Sequence, residues 1–452
     1  MRFERSGLLM NKYPLPYSVG LLSVFLALPM MFGVGGAYAV DAYTSGFYTR
    51  GMEATDFMDR DDSILAPFYQ PLPRRWALLP RITVTASYED NPTLSTDDPE
   101  DTTTVYVVPG LMLVYGQRQR NHLYLDGGLI IPVHTQSGDV SEEVSYLLAA
   151  GGVFRFGKSS LSSRLGYRQM ENVDTLVGAR MVRRDYTGSL SGERRVSRKF
   201  SVGAMANAIR FDFDDDARYT DYWRYYGAGQ VYYQLNPRND VYLQGGMGQD
   251  RMDGSDAAQL GDADFHDVSI GLRGRQTPKT TLAGRLGYRW REARNVDGLS
   301  SDHYIAALEA STSPMGVSVF RAEWQADIRP AVSSIGFSTV DQRGTFAVHR
   351  RVVTDRLRGQ ASLFVGQVDY TGPAESGDGR AAEGGVVPVY DGRQDQYWGY
   401  SLGLDWWTHY NFSFGISYSY FENDGARNGS GDVQALTSYD SSRWGLRASW
   451  NY

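Results

Sequence analysis

With 452 residues, 50 Gly, 13% aromatics and no Cys, the chain excludes disulfides, iron–sulfur clusters, Cys-bearing zinc sites and a lipid anchor on cysteine. Only 42% of the residues are hydrophobic, and no apolar run is long enough for a helical membrane domain. A formal charge of −7 argues against nucleic acid as a partner.

Residues 1–39 read as a Sec-type signal peptide. Arg2, Arg5 and Lys12 precede an apolar run from Val19 to Val34, and Ala37-Tyr38-Ala39 supplies a small-residue cleavage site before Val40. Gly20, Pro29 and Gly33 interrupt the run, which is short for a retained transmembrane anchor, and a start at Met10 would keep Lys12 and a workable signal. Removing residues 1–39 takes three basic and one acidic side chain and leaves a net charge of −9. Residues 40–80 have no period of two or 3.6 and end in Pro67, Pro71, Pro73 and Pro80, so they are expected to form a periplasmic leader.

From Ile82 onward the pattern is regular: strands of about ten residues joined alternately by long polar loops and short turns. Nine long connections, from Glu89–Thr102 to Asp424–Asp440, and eight short turns, centred on Arg118, Lys158, Ser197, Pro237, Pro278, Pro314, Val353 and His409, predict eighteen strands. Residues 81–452 are therefore expected to form an all-β, up-and-down antiparallel transmembrane barrel with both strand termini on one side and a strand tilt of about 40°.

Alternation assigns the faces. Arg285 and Arg289 alternate with Leu286, Tyr288 and Trp290, and Arg321, Glu323, Gln325 and Asp327 alternate with Phe320, Ala322, Trp324, Ala326 and Ile328. A charge facing lipid near the midplane costs about 2–4 kcal/mol, so the charged face must line a polar lumen. Soluble eight-stranded barrels have the opposite, apolar interior. In 105–115, 144–156 and 200–211 both faces are apolar or small. The last strand is the clearest: Trp444, Leu446, Ala448, Trp450 and Tyr452 recur at spacing two, an oily face with an aromatic final residue such as closes outer-membrane barrels.

The opening Ser87-Tyr88-Glu89-Asp90-Asn91, together with the hairpin rhythm that runs to Tyr452, resembles the beta-barrel porin 2 family of bacterial outer-membrane proteins, over about four fifths of the chain. The resemblance implies an outer-membrane pore, encoded in many members beside exopolysaccharide systems, some passing secreted polysaccharide and working with periplasmic polysaccharide-export components.

The candidate functional feature is a ladder of arginines at wet-face positions: Arg273, Arg275, Arg285, Arg289, Arg291, Arg321 and Arg343. Charged walls lower the cost of moving a counter-charged solute, so the ladder suits anions such as acidic saccharides. The bland reading is charge balance with Asp126, Glu193, Glu309, Glu323 and Asp327, or bracing against aromatic faces. The acidic runs Asp97–Asp101 and Asp212–Asp216 fall in outer loops, and the stretch from Asp212 lacks the Gly and terminal Glu of an EF-hand. The loop Thr371–Gln394, with eight glycines or prolines, is long enough to act as a constriction or an external lid.

The six histidines are scattered and form no H-E-x-x-H motif, and no nucleophile elbow is visible. No cofactor, metal or catalytic residue is expected. A plugged structural or adhesive barrel, and an outer-membrane lipid or peptide hydrolase with a Ser–His or Asp–His pair at the rim, are the alternatives. Expected partners are outer-membrane lipid and lipopolysaccharide, and the assembly machinery that reads the closing strand.

Overall fold

The computed structural model describes residues 76–91, 101–116, 121–134, 144–174, 179–214, 220–253, 261–295, 300–314, 317–330, 338–353, 356–371, 393–408, 411–427 and 439–451. The expected signal peptide, the leader up to residue 75, the middle of the 371–394 loop, the acidic run at 97–100 and Tyr452 lie outside the described residues.

Eighteen strands follow one another: β1 Trp76–Glu89, β2 Thr102–Gly116, β3 His122–His134, β4 Ser145–Phe156, β5 Ser159–Asp174, β6 Ala179–Arg195, β7 Phe200–Phe213, β8 Tyr222–Asn236 and β9 Asn239–Met252 in the first half. The second half comprises β10 Ala263–Thr277, β11 Thr280–Ala293, β12 Ser300–Thr312, β13 Ser318–Pro330, β14 Ser338–Val353, β15 Leu357–Thr371, β16 Arg393–Trp407, β17 Phe412–Arg427 and β18 Tyr439–Asn451. Every strand pairs antiparallel with its neighbours in sequence, and β1 pairs with β18, so the sheet is a closed up-and-down barrel of eighteen strands.

Closure removes the sheet edges, which is what allows strands to cross hydrocarbon. The strand order matches the expected alternation of long and short connections, while β5 continues to Asp174 into the expected loop 171–179 and Val353 ends β14 instead of centring a turn. The strands themselves are 12–17 residues long, beyond the ten that the alternation marks. Only the part of a strand held between lipid and lumen has to alternate; beyond the bilayer both faces meet water, so pairing continues without a pattern, as where β5 and β6 run on to Asp174 and Ala179. The barrel likewise starts earlier than expected. Trp76–Pro80 belongs to β1, with Trp76 opposite Tyr115 and Leu78 opposite Leu113, and Trp76 and Leu78 are exposed on the outer face.

Registers confirm which side chains share a face. Outward rows carry Ile82, Val84, Leu111, Leu125, Leu165, Leu190, Leu243, Ile270, Leu286, Leu402, Leu404 and Leu446, all exposed. Leu165 and Leu286, at 66% and 59% exposed, would be intolerable in water on this scale but are at home against acyl chains. Inward rows converge, and there the packing is dense: Tyr226, Ala228 and Phe265 form one buried cluster with Met205 against it, and Val368, Tyr370 and Tyr397 form another with Phe364 and Phe421.

The turns are short because glycine or a side-chain cap allows it. Gly157, at φ 61°, takes the left-handed conformation between β4 and β5, and Ser197 Oγ accepts from the N–H groups of Lys199 and Phe200 between β6 and β7.

Candidate functional site

The inward side chains nearest the long-loop end of β8–β13 form one hydrogen-bonded network. Strand parity delivers Tyr222, Arg224 and Tyr226 from β8, Gln244 and Asp250 from β9, Phe265 and Asp267 from β10, Arg289 and Arg291 from β11, and Asp327 and Arg329 from β13. Asp250 is fully buried between two guanidinium groups: Arg224 Nε donates to its Oδ1 at 2.7 Å and Arg291 Nε to its Oδ2 at 3.3 Å. Arg291 also donates to the Gly261 carbonyl at 2.8 Å. Arg289 sits between Asp267, at 3.0 Å, and Asp327, at 2.6 Å.

Tyr226 and Gln244 connect the two groups. Tyr226 donates to Asp267 at 3.0 Å, Gln244 donates to the Tyr226 hydroxyl at 3.0 Å, and Gln230 donates to Gln244 at 2.7 Å. The Phe265 ring lies under both Arg289, at 4.9 Å, and Arg224, at 5.3 Å. Three arginines thus face three aspartates. Burying unpaired charges would cost several kcal/mol each, and this arrangement pairs them with geometry that satisfies most of their donors.

Two further pairings continue the lining. Arg183 donates to Asp185 at 2.5 and 2.9 Å, and Arg168 reaches the same carboxylate at 2.5 Å. Tyr397 donates to Asp341 at 3.2 Å, with Arg329 3.6 Å from that carboxylate. Toward the short turns, Arg273 bridges Glu193 at 2.8 Å and Asp240 at 3.3 Å while stacking 3.8 Å over Tyr232, and Arg321 bridges Glu309 at 2.9 Å and Glu323 at 2.5 Å.

The arginine ladder therefore divides. Arg273, Arg289, Arg291 and Arg321 each hold a carboxylate, and three of the acids that the sequence offers as balance, Glu193, Glu309 and Glu323, together with Asp327, are their partners. Arg343 lies 5.1 Å over the Phe364 ring, Arg285 is half-buried between Arg289 and the turn, and Arg275 is exposed beside the β10–β11 turn. The fifth acid, Asp126, pairs with Arg81 at 2.8 Å. In the closing strand, Trp444 and Leu446 are exposed on the outer face, opposite Tyr88 and Ala86, and Trp450 stands opposite Ile82.

Tyr226, Arg224, Asp250 and Asp267 were not singled out by sequence reasoning. The signal was present: Tyr222, Arg224 and Tyr226 recur at spacing two, as do Gln244, Gly246, Gly248 and Asp250, in each case on the face opposite Trp223 and Tyr225 or Leu243 and Met247. What parity alone does not tell is that the two rows meet. Among the described residues no three His, Asp or Glu side chains form a group able to hold a metal ion.

A closed antiparallel barrel, apolar outside and lined by ion-paired polar side chains, is a transmembrane β-barrel of the bacterial outer-membrane type. No family model matches the chain, and no curated protein matches it. Solved structures similar to it include the outer membrane protein OpdK of Pseudomonas aeruginosa, at 11% identity and a TM-score of 0.42, over 83% of this chain and 99% of that one. OccAB4 of Acinetobacter baumannii is 10% identical with a TM-score of 0.42, over 84% and 99% of the two chains. OccK2 (OpdF) of Pseudomonas aeruginosa, solved in complex with glucuronate, is 12% identical with a TM-score of 0.44, over 84% and 99%.

Proposed function

We propose that the barrel is an outer-membrane pore for polar solutes, with its narrow level at the Arg224–Asp250–Arg291 and Arg289–Asp267–Asp327 network. The observation that carries this reading is the charge-paired lining itself. A barrel that served only as a wall or an adhesin has no need of a buried charge network in its lumen, where each group costs desolvation; in a pore the network holds in place the partly exposed Arg224 and Asp327, which with Arg321 and Glu309 give a polar surface that replaces the hydration of a passing solute.

The finer reading is that acidic saccharides are among its solutes. The sugar face suits Phe364 and Phe421, partly buried rings with centroids 6.0 Å apart that pack on the buried Tyr397, and the sugar carboxylate suits guanidinium groups presented in the same lumen.

Liposome swelling tests the reading. Vesicles carrying the purified full chain should swell in a neutral hexose and in a uronic acid of the same size, and the uronic acid rate should depend on salt. Vesicles that swell in neither would leave a plugged barrel.

A further inference from the structure

Among the described residues the β12–β13 joint has the fewest paired positions of the eighteen in the wall. β12 pairs with β11 at thirteen positions, Thr280↔Thr312 to Glu292↔Ser300, and β13 pairs with β14 at thirteen, Ser318↔Arg350 to Pro330↔Ser338. Between themselves β12 and β13 pair at only seven, from Ala306↔Ala326 to Thr312↔Phe320. Toward the long loops β12 runs on through Ser300–Ile305 and β13 through Asp327–Pro330, side by side in sequence register but without a ladder. Pro330 has no N–H to offer, and the Ile328 N–H donates to Asp327 Oδ1 at 3.0 Å, a side-chain acceptor.

The two ends are lapped rather than parted. Ser338 Oγ donates to Ser301 Oγ at 3.0 Å, and Ser338 stands on β14 in register with Pro330, so the end of β12 reaches past β13 to its far neighbour. Burial agrees. Ile305 faces inward by register while Ile328 and Val340 face outward, yet all three are 1–4% exposed, with Ala306 and Ala326 beside them at 4% and 2%. Among the described residues, an aliphatic layer and the Ser301–Ser338 hydroxyl contact stand in this half of the joint where a ladder would otherwise run.

We propose that the long-loop half of the β12–β13 joint is a lateral gate that opens the lumen sideways into the outer leaflet, and that it admits single-chain amphiphiles with an anionic head. The chemistry of the two sides points to that ligand class. The joint is lined by Ile305, Ala306, Ala326, Ile328 and Val340, a path for an alkyl chain. Immediately inside it, on the lumen face of β13, stand Asp327 and Arg329, with Arg289 2.6 Å from Asp327, so guanidinium groups meet the head as it enters. In hydrocarbon a paired ladder is the strongest bond between strands, and a joint without one is where a barrel wall parts most readily.

The chain has no cysteine, so Ser301→Cys with Ser338→Cys supplies a single disulfide that locks the lap under oxidation. The probe is dodecyl phosphate dissolved in the lipid of a planar bilayer holding the full-length protein, with inorganic phosphate in the bath as control. In the wild type and in the reduced variant, dodecyl phosphate should block single-channel current in bursts; oxidation should cut burst frequency at least tenfold and leave open-channel conductance unchanged. Bursts that persist after oxidation mean the amphiphile enters by the mouth, and inorganic phosphate blocking equally well means that the alkyl chain has no part; either result overturns the gate. Hydrogen exchange on the unmodified protein in liposomes decides the matter independently of conductance, and so separately from the pore reading. Of the amides in 301–305 and 327–329, those that point into the joint rather than toward β11 or β14 should exchange at least tenfold faster than the joint-facing amides of 307–311 and 321–325, and equal rates overturn the proposal.

Discussion

Arg443 on β18 donates from Nε to Glu89 Oε2 on β1 at 3.1 Å, joining side chains 354 positions apart at the joint that closes the barrel. On the same inner row Thr83 and Ser449 share a hydroxyl hydrogen bond at 3.1 Å, while at the long-loop end Ser442 Oγ, on the outer row, donates to Asp90 Oδ2 at 2.6 Å. The outer face of the same joint is apolar, Val84 beside Ala448 and Tyr88 beside Trp444. Replacing Arg443 by Met should lower the stability of the folded, heat-modifiable form by about 1–2 kcal/mol, the usual worth of a charge-assisted hydrogen bond that is partly buried. Glu89→Gln should do the same, and the double variant should cost no more than either single one. Additive costs in urea titrations would mean that the pair does not interact.

The lipid face of β18 gives the second prediction. Leu446 is 61% exposed between Ala86 and Ile416, so Leu446→Arg puts a charge into hydrocarbon and should cost about 2–4 kcal/mol, read by chemical unfolding in liposomes. The neighbouring Arg447 points inward to Asp405, and Arg447→Leu should leave bilayer insertion intact while loosening the lumen wall. Equal losses of membrane insertion in the two variants would reverse the assignment of faces. Polar replacement of Trp450 should lower the amount of assembled protein through loss of its interface anchor.

Much of this architecture was legible in the sequence, because a membrane on one side and water on the other force a period of two on every strand. The Trp444–Leu446–Ala448–Trp450 row needed no tertiary information, nor did the inward placing of Arg285, Arg289 and Arg321. Two things were hidden. Trp76–Pro80 joins β1 although Leu78-Leu79-Pro80 breaks the alternation, since the end of a strand near the bilayer surface is under weaker constraint. The unpaired half of the β12–β13 joint left little local mark beyond Pro330: Tyr304–Glu309 and Arg321–Asp327 alternate like any strand. The partners of the arginines were half visible, acids named by parity but matched only by the curvature of the wall.

The third prediction concerns Asp250. It is fully buried and is the common acceptor for Arg224 and Arg291, so Asp250→Asn leaves two guanidinium groups facing each other out of water. Removing one member of a buried charge network costs about 3–5 kcal/mol, and the variant should unfold at correspondingly lower denaturant. Restoring neutrality by adding Arg291→Met should recover a large part of that loss. A double variant no better than Asp250→Asn would show that shape at this level matters more than charge.

The last prediction concerns selectivity, and it turns on the difference between counting arginines and locating their partners. Seven ladder arginines taken alone would favour anions, but Arg289 stands between Asp267 and Asp327, and Arg321 between Glu309 and Glu323. At 2.5–3.0 Å each pair is a local dipole whose field decays faster than that of a lone charge, and screening at physiological salt acts over about 8 Å. The wild-type pore should therefore show only a mild anion preference that fades as salt rises. Changing Arg285, Arg289 and Arg321 together to Gln removes three positive charges and leaves Asp267, Asp327, Glu309 and Glu323 without these partners on one wall. Reversal potentials in a salt gradient should then move toward cation selectivity, and most at low ionic strength. The converse variant, Asp267→Asn with Glu309→Gln, should move them toward anions. If neither variant shifts the reversal potential, permeating ions do not pass this wall and the selectivity of the pore is set elsewhere in the lumen.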